Sequence, residues 1–321
     1  MKPALHRLAC LAAFAACGGA GPGGPGGSGG ETAVDDRSTT LATGQGYPIN
    51  IAGDGAGVYW TNHLGGQVMA GAAGGPIVLA DHQDYPLGIA VDRTDVYWTT
   101  LNGGTIVKIA KSGGAPVTLA SGQFGPSGIA IDDANVYWTN TYAGTVMKCS
   151  KAGGKPTVLA SRQVAPGGIA VGAGVVYWTN HGSAPDFADG SVMRLAAPGT
   201  PGPIATALAN PQGIAVDTGA VYWTNHGNPP RFEGAVMTAA LDGSAATVLA
   251  TGQRGAQEIA IDGTSLYWSN EVEGSVYRMA KRGGTPVSLA HDQQRPYGVS
   301  VDASYVYWLV YREGLIRRVA K

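Results

Sequence analysis

The chain has 321 residues, of which 44% are hydrophobic and 13% are charged, and its formal net charge is −1. This balance lacks the basic excess that nucleic-acid binding usually needs, so we expect no nucleic-acid partner. Low charge together with 51 glycines favours a compact β domain with many short loops.

Residues 1–17 resemble a bacterial secretion signal. A basic start is followed by the apolar run 8–16, whose nine residues are too few to span a bilayer as a helix. The segment ends Phe14-Ala-Ala-Cys17, which resembles a lipobox, in which the cysteine is lipidated after cleavage. The alternative is ordinary cleavage after Ala15, which would give a secreted soluble protein.

We expect residues 18–37 to form a glycine-rich linker, since a segment of this composition buries nothing and stays flexible. We therefore expect an exported protein, held to the bacterial envelope by a lipid on Cys17. Gly18 follows that cysteine where an inner-membrane lipoprotein would carry Asp, so the resemblance implies the outer membrane. Cys149 is the one cysteine of the remaining chain, and its repeat position predicts a small buried hydrophobic side chain.

A repeat of about 40 residues begins after the linker. Residues 128–160 show the unit most clearly, with four short apolar stretches at 128–132, 136–139, 144–150 and 157–160 separated by Gly, Asn and Asp turn residues. Every tryptophan follows a tyrosine in the second stretch, at spacings of 38, 40, 40, 45, 45 and 40 residues. Four strands per period of this length are typical of a β-propeller blade. The tryptophans are Trp60, Trp98, Trp138, Trp178, Trp223, Trp268 and Trp308.

The strand count predicts how the ring closes. The first three strands occur seven times, but a fourth strand at 39–42 precedes the first complete unit, and the chain ends on a third strand at Lys321. We therefore predict an all-β, seven-bladed propeller over residues 38–321, in which the N-terminal strand completes the last blade and removes an open sheet edge.

The motif Val-Tyr-Trp-Thr-Asn at 58–62, 136–140, 176–180 and 221–225 resembles the YWTD repeat of the low-density lipoprotein receptor class. Asn replaces the closing Asp of that repeat. The chain is also similar to the wider TolB-like and NHL-like propellers. The resemblance implies the β-propeller fold.

Two consecutive units carry longer loops between their second and third strands, both with the pattern N-H-G-x-x-P-x-F. Neighbouring blades place such loops side by side, so we predict a recognition site there, with the two phenylalanines as exposed anchors. A recent duplication of one blade would also explain the shared pattern. The candidate residues are His181, Asp186, Phe187, Asp189, His226, Arg231, Phe232 and Glu233.

Two units depart from the glycine that usually opens the first strand, because they carry Asn50 and Glu258 instead. A carboxylate there lies near the mouth of the channel. It could bind a cation, act as a general base or simply be solvated, and solvation is the simplest reading. A glutamine also recurs five residues before this position in six units, as in Gln123, and we expect it to bind loop backbone.

No catalytic motif occurs in the sequence. We therefore predict a non-enzymatic lipoprotein of the cell envelope, monomeric and without a cofactor, that binds an unknown protein, peptide or glycan. The alternative is an enzyme of the lyase or lactonase type with a divalent cation in the central channel.

Overall fold

The computed structural model describes residues 37–71 and 74–321. The predicted signal, Cys17 and nearly all of the linker lie outside the described residues. The described part forms 28 strands in seven four-stranded antiparallel sheets. It contains no helix that is long and apolar enough to cross a membrane. The predicted seven-bladed propeller is confirmed.

The strands are numbered in chain order. They are β1 (Thr39–Ala42), β2 (Pro48–Gly53), β3 (Val58–Asn62), β4 (Gln67–Ala70), β5 (Ile77–Ala80), β6 (Pro86–Val91), β7 (Asp95–Thr100), β8 (Thr105–Ala110), β9 (Val117–Ala120), β10 (Pro126–Ile131), β11 (Asn135–Asn140), β12 (Thr145–Ser150), β13 (Thr157–Ala160), β14 (Pro166–Gly172), β15 (Val175–Asn180), β16 (Gly190–Ala196), β17 (Gly202–Leu208), β18 (Pro211–Val216), β19 (Ala220–Asn225), β20 (Glu233–Ala240), β21 (Thr247–Arg254), β22 (Ala256–Ile261), β23 (Ser265–Asn270), β24 (Ser275–Ala280), β25 (Val287–Ala290), β26 (Pro296–Val301), β27 (Tyr305–Val310) and β28 (Leu315–Ala320).

Blade 1 comprises β2 to β5, and each later blade takes the next four strands, from the inner strand at the channel to the outer strand. Blade 7 has only three strands from the end of the chain, and β1 supplies the fourth, in the order β1-β28-β27-β26. β1 pairs antiparallel with β28, with Thr39 opposite Arg318 and Ala42 opposite Ile316. The predicted closure is therefore confirmed.

The tryptophan of each blade packs between sheets, and in six blades it also anchors an inter-blade loop, the segment that leads from one outer strand to the next inner strand. Trp138 is fully buried, and its Nε1 donates to Gln123 Oε1 at 3.0 Å. Asn140 Nδ2 donates to the same oxygen at 3.0 Å, while Gln123 Nε2 donates to the Ser121 carbonyl at 3.0 Å. The recurrent glutamine thus binds backbone as predicted, and in addition it bonds two motif side chains.

The threonine of the motif joins neighbouring blades. Thr139 Oγ1 accepts from Gly128 N in its own blade at 3.0 Å and donates to the Gly167 carbonyl of the next blade at 2.6 Å. Both contacts lie where an inner strand departs from regular pairing, which is between Pro126 and Ile129 for Gly128 and between Pro166 and Ile169 for Gly167. The threonine hydroxyl therefore provides hydrogen-bond partners for inner-strand backbone groups that the strand pairing leaves without one.

The tyrosine of the motif contacts the next blade at the opposite end of the sheet. Tyr97 Oη donates to Asp92 Oδ2 at 2.9 Å, and Lys151 of the next blade pairs with that oxygen at 2.7 Å while lying over the Tyr97 ring. The same lysine–aspartate pair joins three further junctions. Between blades 4 and 5 it is absent, because Gly172 and Leu241 stand at the two positions.

Cys149 is buried in the core beside Val136 and Trp138, as its repeat position predicts. Burial raises the pKa of its thiol. Both features fit a packing role rather than a reactive one.

The glutamine contacts give a first prediction. Gln123→Leu removes the acceptor of Trp138 Nε1 and Asn140 Nδ2, and buried donors without partners cost about 1–3 kcal/mol. We expect urea denaturation to show a loss of that size in the free energy of unfolding. Gln294→Leu is the matched control, because Gln294 is exposed beside another inter-blade loop. Equal losses in the two variants would contradict the assigned role.

The closure gives a second prediction. Deleting residues 38–45 removes β1 and also Gln45, which accepts from Trp60 Nε1 at 2.9 Å. The deletion exposes the edge of β28 and uncovers apolar surface, at a cost of several kcal/mol. We expect a lower melting temperature in calorimetry and self-association in size-exclusion chromatography. A deletion variant that melts like wild type and stays monomeric would show that β1 does not hold the ring.

Candidate binding site at the channel mouth

The inner strands approach one another so closely that most blades accept only glycine at one position. A Cβ added to Gly88 would lie 2.3 Å from the Ser127 carbonyl oxygen of the next blade, and one added to Gly128 would lie 2.3 Å from the Gly167 oxygen. Asn50 and Glu258 occupy this position in blades 1 and 6. Asn50 and Glu258 are the two residues larger than glycine at this position of the inner strands.

On one face, each inter-blade loop contacts the loop between the second and third strands of the blade that follows it. The residue after the motif Asn donates its N–H to the carbonyl of the residue just before the inner strand. In blade 1, for example, His63 N donates to Tyr47 O at 3.0 Å. This bond recurs in all seven blades.

We call the residues at these positions the mouth. After the motif strand they are His63, Leu101, Thr141, His181, His226, Glu271 and Tyr311. On the inter-blade side they are Tyr47, Tyr85, Gly125, Ala165, Asn210, Gly255 and Arg295, followed two residues later by Ile49, Leu87, Ser127, Gly167, Gln212, Gln257 and Tyr297.

One side of the mouth is apolar. Ile49, Leu87, Leu101 and Tyr297, from blades 7, 1 and 2, form a buried cluster. The half-buried rings of Tyr85, Tyr142 and Tyr311 pack against it.

The rim of this side continues outward as exposed aromatic surface. The Tyr47 ring lies 5.2 Å from that of Tyr311 between centroids and is 45% exposed. Phe124 is 43% exposed and lies 5.4 Å from Tyr142. The apolar side therefore ends in aromatic faces that solvent reaches.

The adjoining side of the mouth is polar and centred on the buried Glu271. Its Arg295 lies over the Tyr297 and Tyr311 rings of the apolar side, 5.8 and 5.9 Å from their centroids. Glu271 Oε2 contacts His226 Nε2 at 3.2 Å and accepts from Gln257 Nε2 at 3.1 Å. Its Oε1 accepts from Arg295 Nε at 2.6 Å. Burial alone would raise the pKa of this carboxyl, but the His226 hydrogen bond and the charge of Arg295 outweigh burial and lower it to about 2. Glu271 is therefore ionised and paired at neutral pH.

The polar side extends into blades 4 and 5. His181 Nδ1 lies 3.3 Å from Asn210 Oδ1, which also accepts from Gln212 Nε2 at 2.7 Å. Burial lowers the pKa of His181 to about 4, so its imidazole is neutral at pH 7. The ring sits directly over Gly167, where a Cβ would lie 2.0 Å from Nε2.

The two long loops both contact Asn210, whose N–H donates to the Phe187 carbonyl at 3.0 Å and whose carbonyl accepts from His226 N at 3.0 Å. The expectation of exposed phenylalanines is wrong, because Phe187 and Phe232 are both half-buried. Phe232 packs edge-on against the buried His226, with ring centroids 5.4 Å apart. Each loop thus folds back on itself instead of presenting its ring to solvent.

The charged residues of these loops lie at their exposed tips, away from the buried polar contacts. Arg231 and Glu233 pair at 3.6 Å in solvent, where such a pair contributes little. Asp189 accepts from the Ser183 backbone at 2.5 Å within its own loop, and Asp186 is exposed. The loops therefore contribute their histidines, rather than their phenylalanines and charges, to the mouth.

Glu258 is not freely solvated, which corrects the simplest expectation for it. Its side chain is half-buried among the inner strands, and burial raises the pKa of the carboxyl to about 7 against a hydrogen bond from Ile259 N. Asn50 is half-buried two blades away around the ring. Within residues 37–71 and 74–321, no group of three or more His, Cys, Asp or Glu side chains could hold a metal ion.

Four mouth residues were missed by the sequence analysis: Tyr297, Tyr311, Glu271 and Arg295. Apart from the contact between Arg295 and Tyr297, these residues meet partners from other loops or blades, so no local pattern marks them. A signal was nevertheless available, because the residue after the motif Asn differs from blade to blade while its neighbours repeat.

The fold defines the chain as a β-propeller. Compared by sequence, it matches no known family profile and no curated protein. Its fold is similar to that of a chain in the nidogen/laminin complex, a YWTD propeller, with a TM-score of 0.60 and 20% identity over 73% of this chain and 94% of that one.

Two lyases share the fold as well. Streptogramin B lyase has a TM-score of 0.74 and 15% identity over 88% of this chain and 96% of its own. A catalytically inactive virginiamycin B lyase from Staphylococcus aureus, solved with quinupristin, has a TM-score of 0.73 and 16% identity over 88% and 99%. Identities this low establish the architecture and leave function to the site itself.

The raised pKa of Glu258 gives a third prediction. A native pKa of about 7 means that the folded state holds this proton more tightly than the unfolded state, so stability is lost as pH rises through the window from 4.5 to 7. We expect Glu258→Gln to match wild type near pH 5 and to exceed its free energy of unfolding by about 1–3 kcal/mol near pH 8. Denaturation at both pH values measures this, with Glu313→Gln, an exposed glutamate, as control. A constant difference between variant and wild type would contradict the prediction.

Proposed function

We propose that this chain is a non-enzymatic binding protein that captures its ligand at the mouth of the propeller channel. Its predicted lipid anchor at Cys17 would hold it to the bacterial envelope, with the linker as a tether. The two long loops flank the site at blades 4 and 5, and Asn50 and Glu258 line the channel below it. We expect it to act as a monomer.

The variation of the mouth within a constant frame carries this proposal. In all seven blades the residue after the motif strand makes the same backbone hydrogen bond. The side chains there nevertheless range from Leu101 through Thr141 and His226 to Glu271 and Tyr311. Folding needs only the backbone bond, so the side-chain differences support recognition.

The opposite face supports the same assignment by contrast. There the tyrosine, aspartate and lysine of the repeat bond to one another at several junctions, as at Asp217 and Lys281, which pair at 2.5 Å. Those groups are therefore engaged in holding blades together. The mouth instead combines a half-buried aromatic side with a polar side, a composition typical of ligand sites.

An enzyme of the lyase type is the second candidate, and one observation favours it. Glu258 has a pKa of about 7, which suits a general base at neutral pH, and it lies in the channel. Two lyases share the fold. Metal analysis of the purified protein separates the candidates, since a stoichiometric divalent cation would favour the enzyme.

A thermal-shift screen tests the binding proposal. We expect ligands from a mixed panel of peptides, glycans and apolar small molecules to raise the melting temperature of wild type, and Tyr47→Ala combined with Phe124→Ala to abolish the shift. Both side chains are exposed at the mouth, so the double variant should fold normally. Val117→Ala combined with Val158→Ala is the matched control, because these side chains are similarly exposed on outer strands. Shifts that survive in the mouth variant would place the site elsewhere.

A further inference from the structure

The charges of the mouth compensate each other. Glu271 and Arg295 are the charged side chains at the mouth positions, and they pair directly. His181 is neutral, because burial keeps its pKa near 4. At these positions an ionised ligand would find no unpaired counter-charge and would lose its hydration, and the Glu258 carboxyl in the channel below further disfavours an anion.

The polar side offers amides instead of free charges. Gln212 and Gln257 hold the position that Ile49 and Leu87 hold on the apolar side. Each donates through Nε2 to a fixed acceptor, Gln212 to Asn210 and Gln257 to Glu271. These bonds orient the amide planes, so their carbonyl oxygens are positioned acceptors for hydroxyl groups.

The apolar side offers aromatic faces that also carry hydroxyl groups. Tyr47, Tyr85 and Tyr311 lie at its rim, with the Tyr297 and Tyr311 centroids 5.1 Å apart. An aromatic face is electron-rich and attracts the polarised C–H groups of a flat saturated ring, while the phenol oxygen bonds groups at the edge of that ring. One ligand class has C–H faces, hydroxyl edges and no charge.

We infer that the mouth binds a neutral oligosaccharide, with one sugar ring against the tyrosines and its hydroxyls directed to the Gln212 and Gln257 side. The inference rests on the proposed function and names its ligand class. A peptide fits less well, because its terminal charges would meet the paired Glu271 and Arg295 rather than a charge without a partner.

Titration calorimetry of the full chain with neutral hexasaccharides tests this inference. The probes are cellohexaose, maltohexaose and chitohexaose, with hexagalacturonate as an acidic oligosaccharide of equal length. We expect at least one neutral probe to bind and the acidic one to fail. Tyr47→Ala should weaken binding about tenfold, whereas Tyr47→Phe, which keeps the ring, should change Kd less than about threefold. Gln212→Ala should also weaken binding, and Val158→Ala should leave it unchanged.

The outcomes separate this inference from the proposed function. If no neutral hexasaccharide binds but a peptide or an apolar molecule shifts the melting temperature of wild type and not of the mouth variant, the mouth is a binding site and the sugar assignment is wrong. If neutral sugars bind equally well to Tyr47→Ala and Gln212→Ala, their site lies elsewhere and the inference is overturned. If no ligand of any class depends on the mouth, the proposed function fails as well.

Discussion

The crowding of seven inner strands around one axis constrains the whole molecule. At Gly168 a Cβ would lie 2.4 Å from the Gln212 carbonyl oxygen, so the backbone of one blade nearly touches the next. Neighbouring inner strands belong to different sheets and share no ladder hydrogen bonds, so their polar groups on this side need other partners. The motif threonine provides them, because its hydroxyl bonds both its own inner strand and the next one, as Thr179 does with the Gln212 carbonyl at 2.8 Å.

The remaining motif residues connect neighbouring blades farther from the axis and at both ends of each blade. Tryptophan fills the space between sheets and is held by glutamine at the mouth face, while tyrosine and aspartate meet the next blade at the opposite face. Blade 5 shows the role of the glutamine by its absence. Leu208 stands at that position, and Trp223 Nε1 has no hydrogen-bond partner. With the motif residues engaged in architecture, the proposed binding depends on the few positions that differ between blades.

The fold was predictable from sequence, and the mouth was predictable only in part. Period, strand count and the extra strand before blade 1 predicted seven blades and their closure, because each depends on local pattern. The site combines side chains such as Tyr47 and Tyr311, or Glu271 and Arg295, that meet only when blades 6, 7 and 1 are arranged in a ring. The burial of Phe232 could not be predicted from the sequence either, since it depends on the position of His226 and on how the loop turns back.

The uneven distribution of lysine–aspartate pairs makes the ring respond unevenly to acid and salt. Hydrogen bonds and lysine charge lower the pKa of Asp92 and Asp217, so these carboxylates stabilise junctions at neutral pH and lose that contribution as pH falls through their native pKa values. The junction between blades 4 and 5 has Gly172 and Leu241 in their place and is held by apolar contact together with hydrogen bonds, such as that from Tyr177 Oη to the Leu241 carbonyl at 3.4 Å. Acid therefore removes a stabilising contribution from the charged junctions that the junction between blades 4 and 5, which carry the long loops, does not depend on.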